Sequence, residues 1–198
     1  MNLNYVESAK ALKYDILKED FMAISAIIYV SSTGHTREYA RLLAKKLSLP
    51  AYSFDRERGN VPSGSEIIFM GWIMAGKVMG LTKVSMNYTV RCVIGVGMGF
   101  TGSQIEDIKS LNDFPAGSGV FSLQGGFEFD KLRGIYKLMM RILKATKVKS
   151  LSLKADRTPD EENLLRMLRD GGNYVAERNL KDIVAWYKAR VGDNLIEQ

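Results

Sequence analysis

Cysteine and histidine are nearly missing from this 198-residue chain, which has one of each. A single cysteine cannot close an intramolecular disulfide, and Cys92 lies in an apolar run, so it reads as a small core residue and not as part of a secreted disulfide scaffold. One Cys and one His cannot build a Cys/His zinc site, and the carboxylates show no metal-ligand spacing. A catalytic triad would have to use His35 itself. No apolar run approaches the roughly 20 residues of a membrane span. The N-terminus, with Glu7, Lys10, Lys13, Asp15, Lys18, Glu19 and Asp20, has no signal-peptide core, and a cytoplasmic protein is expected. Acidic residues are in deficit: 28 Lys+Arg against 22 Asp+Glu leave a net charge of +6. That balance points to an anionic partner such as a membrane surface, a polyanion or an acidic substrate. Nucleic acid is not the expected one, because no basic platform interleaved with aromatics is present. Neither internal repeats nor low-complexity linkers occur. The organisation expected is an N-terminal helical arm over residues 1–20, with Tyr5, Val6, Ala9, Leu12 and Ile16 on one stripe, followed by one domain over 21–198.

What is present is concentrated in one stretch. The apolar, β-branched run Ile27-Ile28-Tyr29-Val30 ends abruptly in Ser31, Ser32, Thr33, Gly34, His35 and Thr36. A helical pattern begins at once, with Thr36, Tyr39/Ala40, Leu43 and Leu47 on one face and Arg37, Glu38, Arg41, Lys45 and Lys46 on the other. A strand, a tight loop and a helix N-terminus make an anion site, because the first N–H groups of a helix lack internal partners and the helix dipole favours negative charge there. The loop hydroxyls add donors. With no lysine in the loop, this is not the Gly-Lys-Ser/Thr loop of nucleoside triphosphate sites. It suits a terminal phosphate monoester.

The rest of the chain alternates strand and helix patterns. Strands are expected at 21–30, 51–54, 66–71, 90–96 and 119–123, and helices at 36–47 and 77–84. A further helix is expected after a capping box of Ser103 and Glu106, another after Thr158-Pro159-Asp160-Glu161, and a closing helix runs from about Ala176 to Val191. Such alternation implies an α/β fold, a doubly wound parallel sheet with helices on both faces. Ligands of these sheets sit outside the carboxyl ends of the strands. The loop after the third strand holds Gly71, Trp72, Ile73, Met74, Ala75, Gly76 and Lys77: a large aromatic, a thioether and a cation. The loop after the fourth holds Gly97, Met98, Gly99, Phe100 and Thr101. Gly97, Gly99 and Gly102 spell G-x-G-x-x-G, but in the wrong strand–helix unit for a dinucleotide fingerprint and without its downstream acid.

Ser-Ser-Thr-Gly-His-Thr after a buried strand resembles the phosphate loop of the flavodoxin superfamily. The resemblance implies a five-stranded sheet in the order 2-1-3-4-5 and FMN as cofactor. The phosphate would lie on residues Ser31 to Thr36, and the ring between the loops Gly71 to Lys77 and Gly97 to Thr101, with Trp72 or Met74 against one face and Phe100 or Met98 against the other. Lys77 would stabilise negative charge on the reduced ring.

From Lys131 to Ser150 the chain carries seven Lys and Arg and no acid, and Ile135, Leu138, Met139, Ile142 and Leu143 fall at helical spacing. A basic amphipathic helix of this kind can lie on an anionic membrane; the competing reading packs it on the sheet with its lysines solvated. Together with Gly125-Gly126 before it, this helix is similar to that of the flavodoxin-type, menaquinone-dependent protoporphyrinogen oxidases. That resemblance implies an oxidoreductase passing electrons from a porphyrinogen-like substrate to a quinone, peripheral at the inner face of the membrane. Two other readings stay open: a non-enzymatic flavodoxin-type electron carrier, and a flavin-free module for another phosphate ligand. A homodimer is compatible with all three.

Overall fold

The computed structural model describes residues 24–56 and 58–196, with the side chains of 58 and 191–196 left aside. The expected N-terminal arm, and the first residues of the strand expected from 21, lie outside them.

Strand β1 (Ala26–Val30) leads through the hydroxyl loop into α1 (His35–Leu47), which ends at Ser48 in the left-handed conformation, two residues before Pro50. Then come β2 (Ala51–Ser53), β3 (Glu66–Met74), β4 (Lys77–Val78), α2 (Leu81–Ser85), β5 (Thr89–Gly97), α3 (Ile105–Leu111) and β6 (Gly119–Gln124). A two-residue strand β7 (Gly126–Phe127), α4 (Gly134–Leu153), α5 (Pro159–Asp170), β8 (Gly172–Asn173) and α6 (Lys181–Ile196) complete the chain. The long strands are parallel in the order β2-β1-β3-β5-β6. This is an α/β architecture with a mostly parallel central sheet.

Side-chain alternation sorts the core into two layers. Ile27, Ile68, Met70, Ile94 and Leu123 face α1 and α6. Ile28, Ile67, Phe69 and Val93 face α2 and α3. The parity slips once: Ile67 opposes Val90 and Ile68 opposes Cys92, so Arg91 is an extra residue. This bulge lets Val90 and Val93 share a face although three positions apart. It also turns Arg91 onto Glu66, which is buried at the start of β3 and receives the guanidinium, with the Nε bond at 2.7 Å. The final helix covers the sheet as expected, Trp186 standing edge-on to Phe121 at 6.1 Å.

Three expectations are corrected. The third strand does not end at Gly71. It continues past its neighbours to Met74, turns at Ala75 (φ 48°) and Gly76 (φ 78°), and returns as β4, with Ile73 opposite Val78 and Met74 opposite Lys77. Two successive positive φ values are the signature of a two-residue hairpin turn. A sixth, antiparallel strand therefore stands where the helix over 77–84 was expected, and helix begins only at Leu81. The Ser103/Glu106 capping box does not form: Ser103 Oγ donates to the Phe100 carbonyl at 3.0 Å, Glu106 pairs with Lys109, and α3 starts after Gln104 without a side-chain cap. The Thr158/Glu161 box does form, with both reciprocal bonds. Finally, α4 does not lie across the sheet; it meets the end of β3 through Tyr136 and Trp72 and otherwise lies against α5, with Met140 and Val148 joining Phe127, Leu132, Met167 and Leu168 in a third cluster.

The Arg91–Glu66 pair yields a stability prediction. Arg91→Ala leaves a carboxylate buried without its partner and should destabilise the fold by about 3 kcal/mol. Glu66→Gln in the same chain should recover part of that loss. Urea denaturation of the wild type and the two variants measures both; a double variant no more stable than the single one refutes the assignment.

Candidate functional site

The carboxyl ends of β1, β3, β5 and β6 lie along one edge of the sheet, since the strands are parallel. Gly34 caps α1 with φ 110° and no side-chain cap bond, which leaves first-turn N–H groups of the helix facing the loop. The loop closes on itself: the Arg37 N–H donates to Ser31 Oγ at 3.3 Å and the Glu38 N–H to the Gly34 carbonyl at 2.9 Å. Ser32 is exposed and Ser31 and Thr33 half-buried, so three hydroxyls are available to a ligand. Thr36 is buried. Tyr39, one turn further along α1, donates its hydroxyl to the Gln124 carbonyl at 2.7 Å and accepts from Asn179 Nδ2 at 2.6 Å, tying α1 to the end of β6.

His35 is buried too, with 5% of its surface exposed. Its Nδ1 lies 3.0 Å from Thr33 Oγ1. Its Nε2 lies 3.0 Å from Glu128 Oε2 without hydrogen-bond alignment, and Glu128 also pairs with Lys131 at 2.8 Å. Burial pulls the imidazole below its ordinary pKa of 6.5; Glu128 opposes the shift and Lys131 adds to it. Burial thus favours the neutral ring.

The hydroxyl loop separates two open cavities. One, of about 440 Å³, is lined by Thr33, Gly34, His35, Arg37, Arg41, Glu128 and Lys131. The other, of about 550 Å³, is lined by Ser31, Ser32, Trp72, Lys77, Gly80, Leu81 and Tyr136. The second falls within the roughly 300–1,000 Å³ usual for small-molecule sites. Trp72 meets Tyr136 of α4 edge to face at 5.2 Å. Lys77, on β4, is exposed and has no ion-pair partner among the described residues. Asn112 holds the hairpin in place, accepting from the Val78 N–H at 2.8 Å and donating to the Gly76 carbonyl at 3.0 Å.

Of the residues singled out in the sequence, Ser31, Ser32, Trp72 and Lys77 share the larger cavity, and Thr33, Gly34 and His35 the smaller. Gly71 is buried in β3, Ile73 packs beneath the sheet, and Met74, Ala75 and Gly76 form the hairpin end, none lining either cavity. Gly97, Met98, Gly99, Phe100 and Thr101 line neither. Met98 packs against the third cluster and its carbonyl accepts from Asn163 Nδ2 at 2.9 Å; Thr101 Oγ1 accepts from the Gln124 N–H at 3.2 Å; Phe100 is exposed. Glu128, Tyr136 and Asn112 were not foreseen. Only the tertiary fold brings them to this edge, and nothing local marks them.

Comparison with protein-family models, curated proteins and solved structures gives no match.

His35 generates a pH prediction. Its folded pKa lies below its unfolded one, so the unfolded chain binds more protons there, and stability present above pH 6.5 is lost as pH falls through that value. Wild-type stability should therefore drop more steeply between pH 7 and 5 than that of His35→Asn. Urea midpoints across this range measure it; parallel slopes refute it.

Proposed function

We propose that this protein is a flavodoxin-like redox protein that binds FMN at the carboxyl edge of its sheet and acts as an oxidoreductase between a reduced, porphyrinogen-like substrate and a quinone. The observation that carries the reading is the Gly34-capped start of α1, whose hydroxyl loop opens beside a cavity walled by Trp72, Tyr136 and Lys77. The donor set suits a phosphate monoester: three accessible hydroxyls, helix N–H groups and no acid within residues 31–36. The long-strand order β2-β1-β3-β5-β6 becomes the flavodoxin order once the short β4 is set aside.

FMN, when bound, supplies a ring that accepts electrons from the substrate. The chain's own work is positioning and electrostatics. Ser31, Ser32 and Thr33 hold the phosphate, with the dipole of α1 behind them. Trp72, fixed edge-on by Tyr136, offers an apolar wall to a planar ligand. Lys77 places at the cavity rim a positive charge without an ion-pair partner among the described residues, which favours an anionic ligand and raises the potential of a redox group held there.

The protein mixed with FMN should retain close to one FMN per chain after gel filtration, read from its visible spectrum. Riboflavin, which lacks the phosphate, should bind at least tenfold more weakly. Gly34→Val, strained at φ 110°, should lose FMN while keeping its far-UV circular dichroism. A wild-type protein that stays colourless with FMN refutes the proposal.

A further inference from the structure

The outward face of α4 bears four large apolar side chains at the spacing i, i+3, i+4, i+7: Ile135, Leu138, Met139 and Ile142, exposed by 61%, 51%, 47% and 58%. Their exposure is not the loose end of an unanchored helix. Met140 and Val148 on the opposite face are packed, and Leu151 is buried. A contiguous apolar patch on a folded surface marks a contact site. Its surroundings select the partner. From Lys131 to Ala155 there is no acid. Arg133, Arg141, Lys147 and Lys149 are exposed and have no ion-pair partner among the described residues. A protein partner would have to match an apolar strip bordered by cations; a bilayer with anionic headgroups matches both at once, acyl chains to the strip and headgroups to the cations. No helix among the described residues is long and apolar enough to cross a membrane, so the contact is peripheral.

We infer that α4 docks this protein on an anionic lipid bilayer, with Ile135, Leu138, Met139 and Ile142 inserted at the headgroup boundary. The inference goes beyond the flavin reading and stands without it. It has one consequence for that site. Tyr136, next to Ile135, walls the larger cavity with Trp72, so docking holds the cavity close to the membrane surface, where a lipid-soluble partner is concentrated.

The test is flotation of the full chain with vesicles of phosphatidylcholine and phosphatidylglycerol (3:1) and with vesicles of phosphatidylcholine alone. Protein is read by gel staining, so the result does not depend on bound flavin. The wild type should float with the anionic vesicles, at least tenfold more than with the neutral ones, and less at high salt. Leu138→Asp/Ile142→Asp should abolish flotation. Arg141→Gln/Lys147→Gln/Lys149→Gln, which changes only exposed side chains and leaves the apolar strip intact, should reduce it at least tenfold. Three results overturn the inference: no flotation of the wild type, equal flotation of the charge variant, or a wild-type dimer that Leu138→Asp/Ile142→Asp converts to monomer, which would make the strip a contact between copies.

Discussion

The imidazole of His35 packs against the backbone of Gly126, with its own Cβ beside Gly125, and this contact joins the start of α1 to the turn after β6. A Cβ at Gly126 would collide with His35 Nε2 and with the Gly172 carbonyl oxygen. One ring therefore touches the start of α1, the turn after β6 and the short pairing of β7 with β8. The turn is held from other directions as well: the Gly125 N–H donates to the Gly97 carbonyl at 2.8 Å, and the Tyr174 N–H to the Gly125 carbonyl at 2.7 Å. The turns after β5 and β6 are thus hydrogen-bonded to each other, and His35 packs the start of α1 against them. Burial at such a position favours the neutral imidazole, because desolvating the charged form is costly. Glu128 beside Nε2 offsets part of that cost on protonation, which explains why the two influences on His35 oppose each other.

The two cavities follow from this arrangement. His35, Glu128 and Lys131 line the smaller one, where Glu128 and Lys131 pair, whereas the larger opens between the hydroxyl loop and the β3–β4 hairpin, where Lys77 has no ion-pair partner among the described residues. The overhang of β3 makes the second possible. Had the strand stopped at Gly71, Trp72 and Lys77 would lie on a free loop. As part of a hairpin anchored by Asn112, their backbones are fixed before any ligand arrives, which lowers the ordering cost of binding.

The strands, the first helix and the hydroxyl loop were legible because each is announced by contiguous residues: a β-branched run, a run of hydroxyls, a period of 3.6. The hairpin was not, because Ala75 is a poor advertisement for a positive φ and the apolar residues on either side of it fit a helix as well as two short strands. The capping box after Ser103 misled for a related reason: its spacing is right, but the Phe100 carbonyl lies nearer the hydroxyl than the helix N–H groups do. Met98 and Phe100 were placed by sequence position beside a presumed ligand. The tertiary fold also packs Met98 against a cluster built by α4 and α5, elements more than thirty residues downstream.

That third cluster also bears on why α4 exposes apolar residues at all. The helix is twenty residues long, and its inward contacts, together with the capped start of α5 beside it, are sufficient to hold it. The outward Ile135, Leu138, Met139 and Ile142 remain about half exposed and belong to none of the core clusters. Full burial of side chains of this size contributes about 1.5–3 kcal/mol each, and here much of that stabilisation is left unrealised in the isolated chain. Polar residues at these four positions would cost only the part of that burial now realised. The folding requirement therefore accounts for one face of α4 and not the other. Among the described residues no element covers the outward face, and the neighbouring cations, with no acid from Lys131 to Ala155, favour an anionic surface as the one it meets.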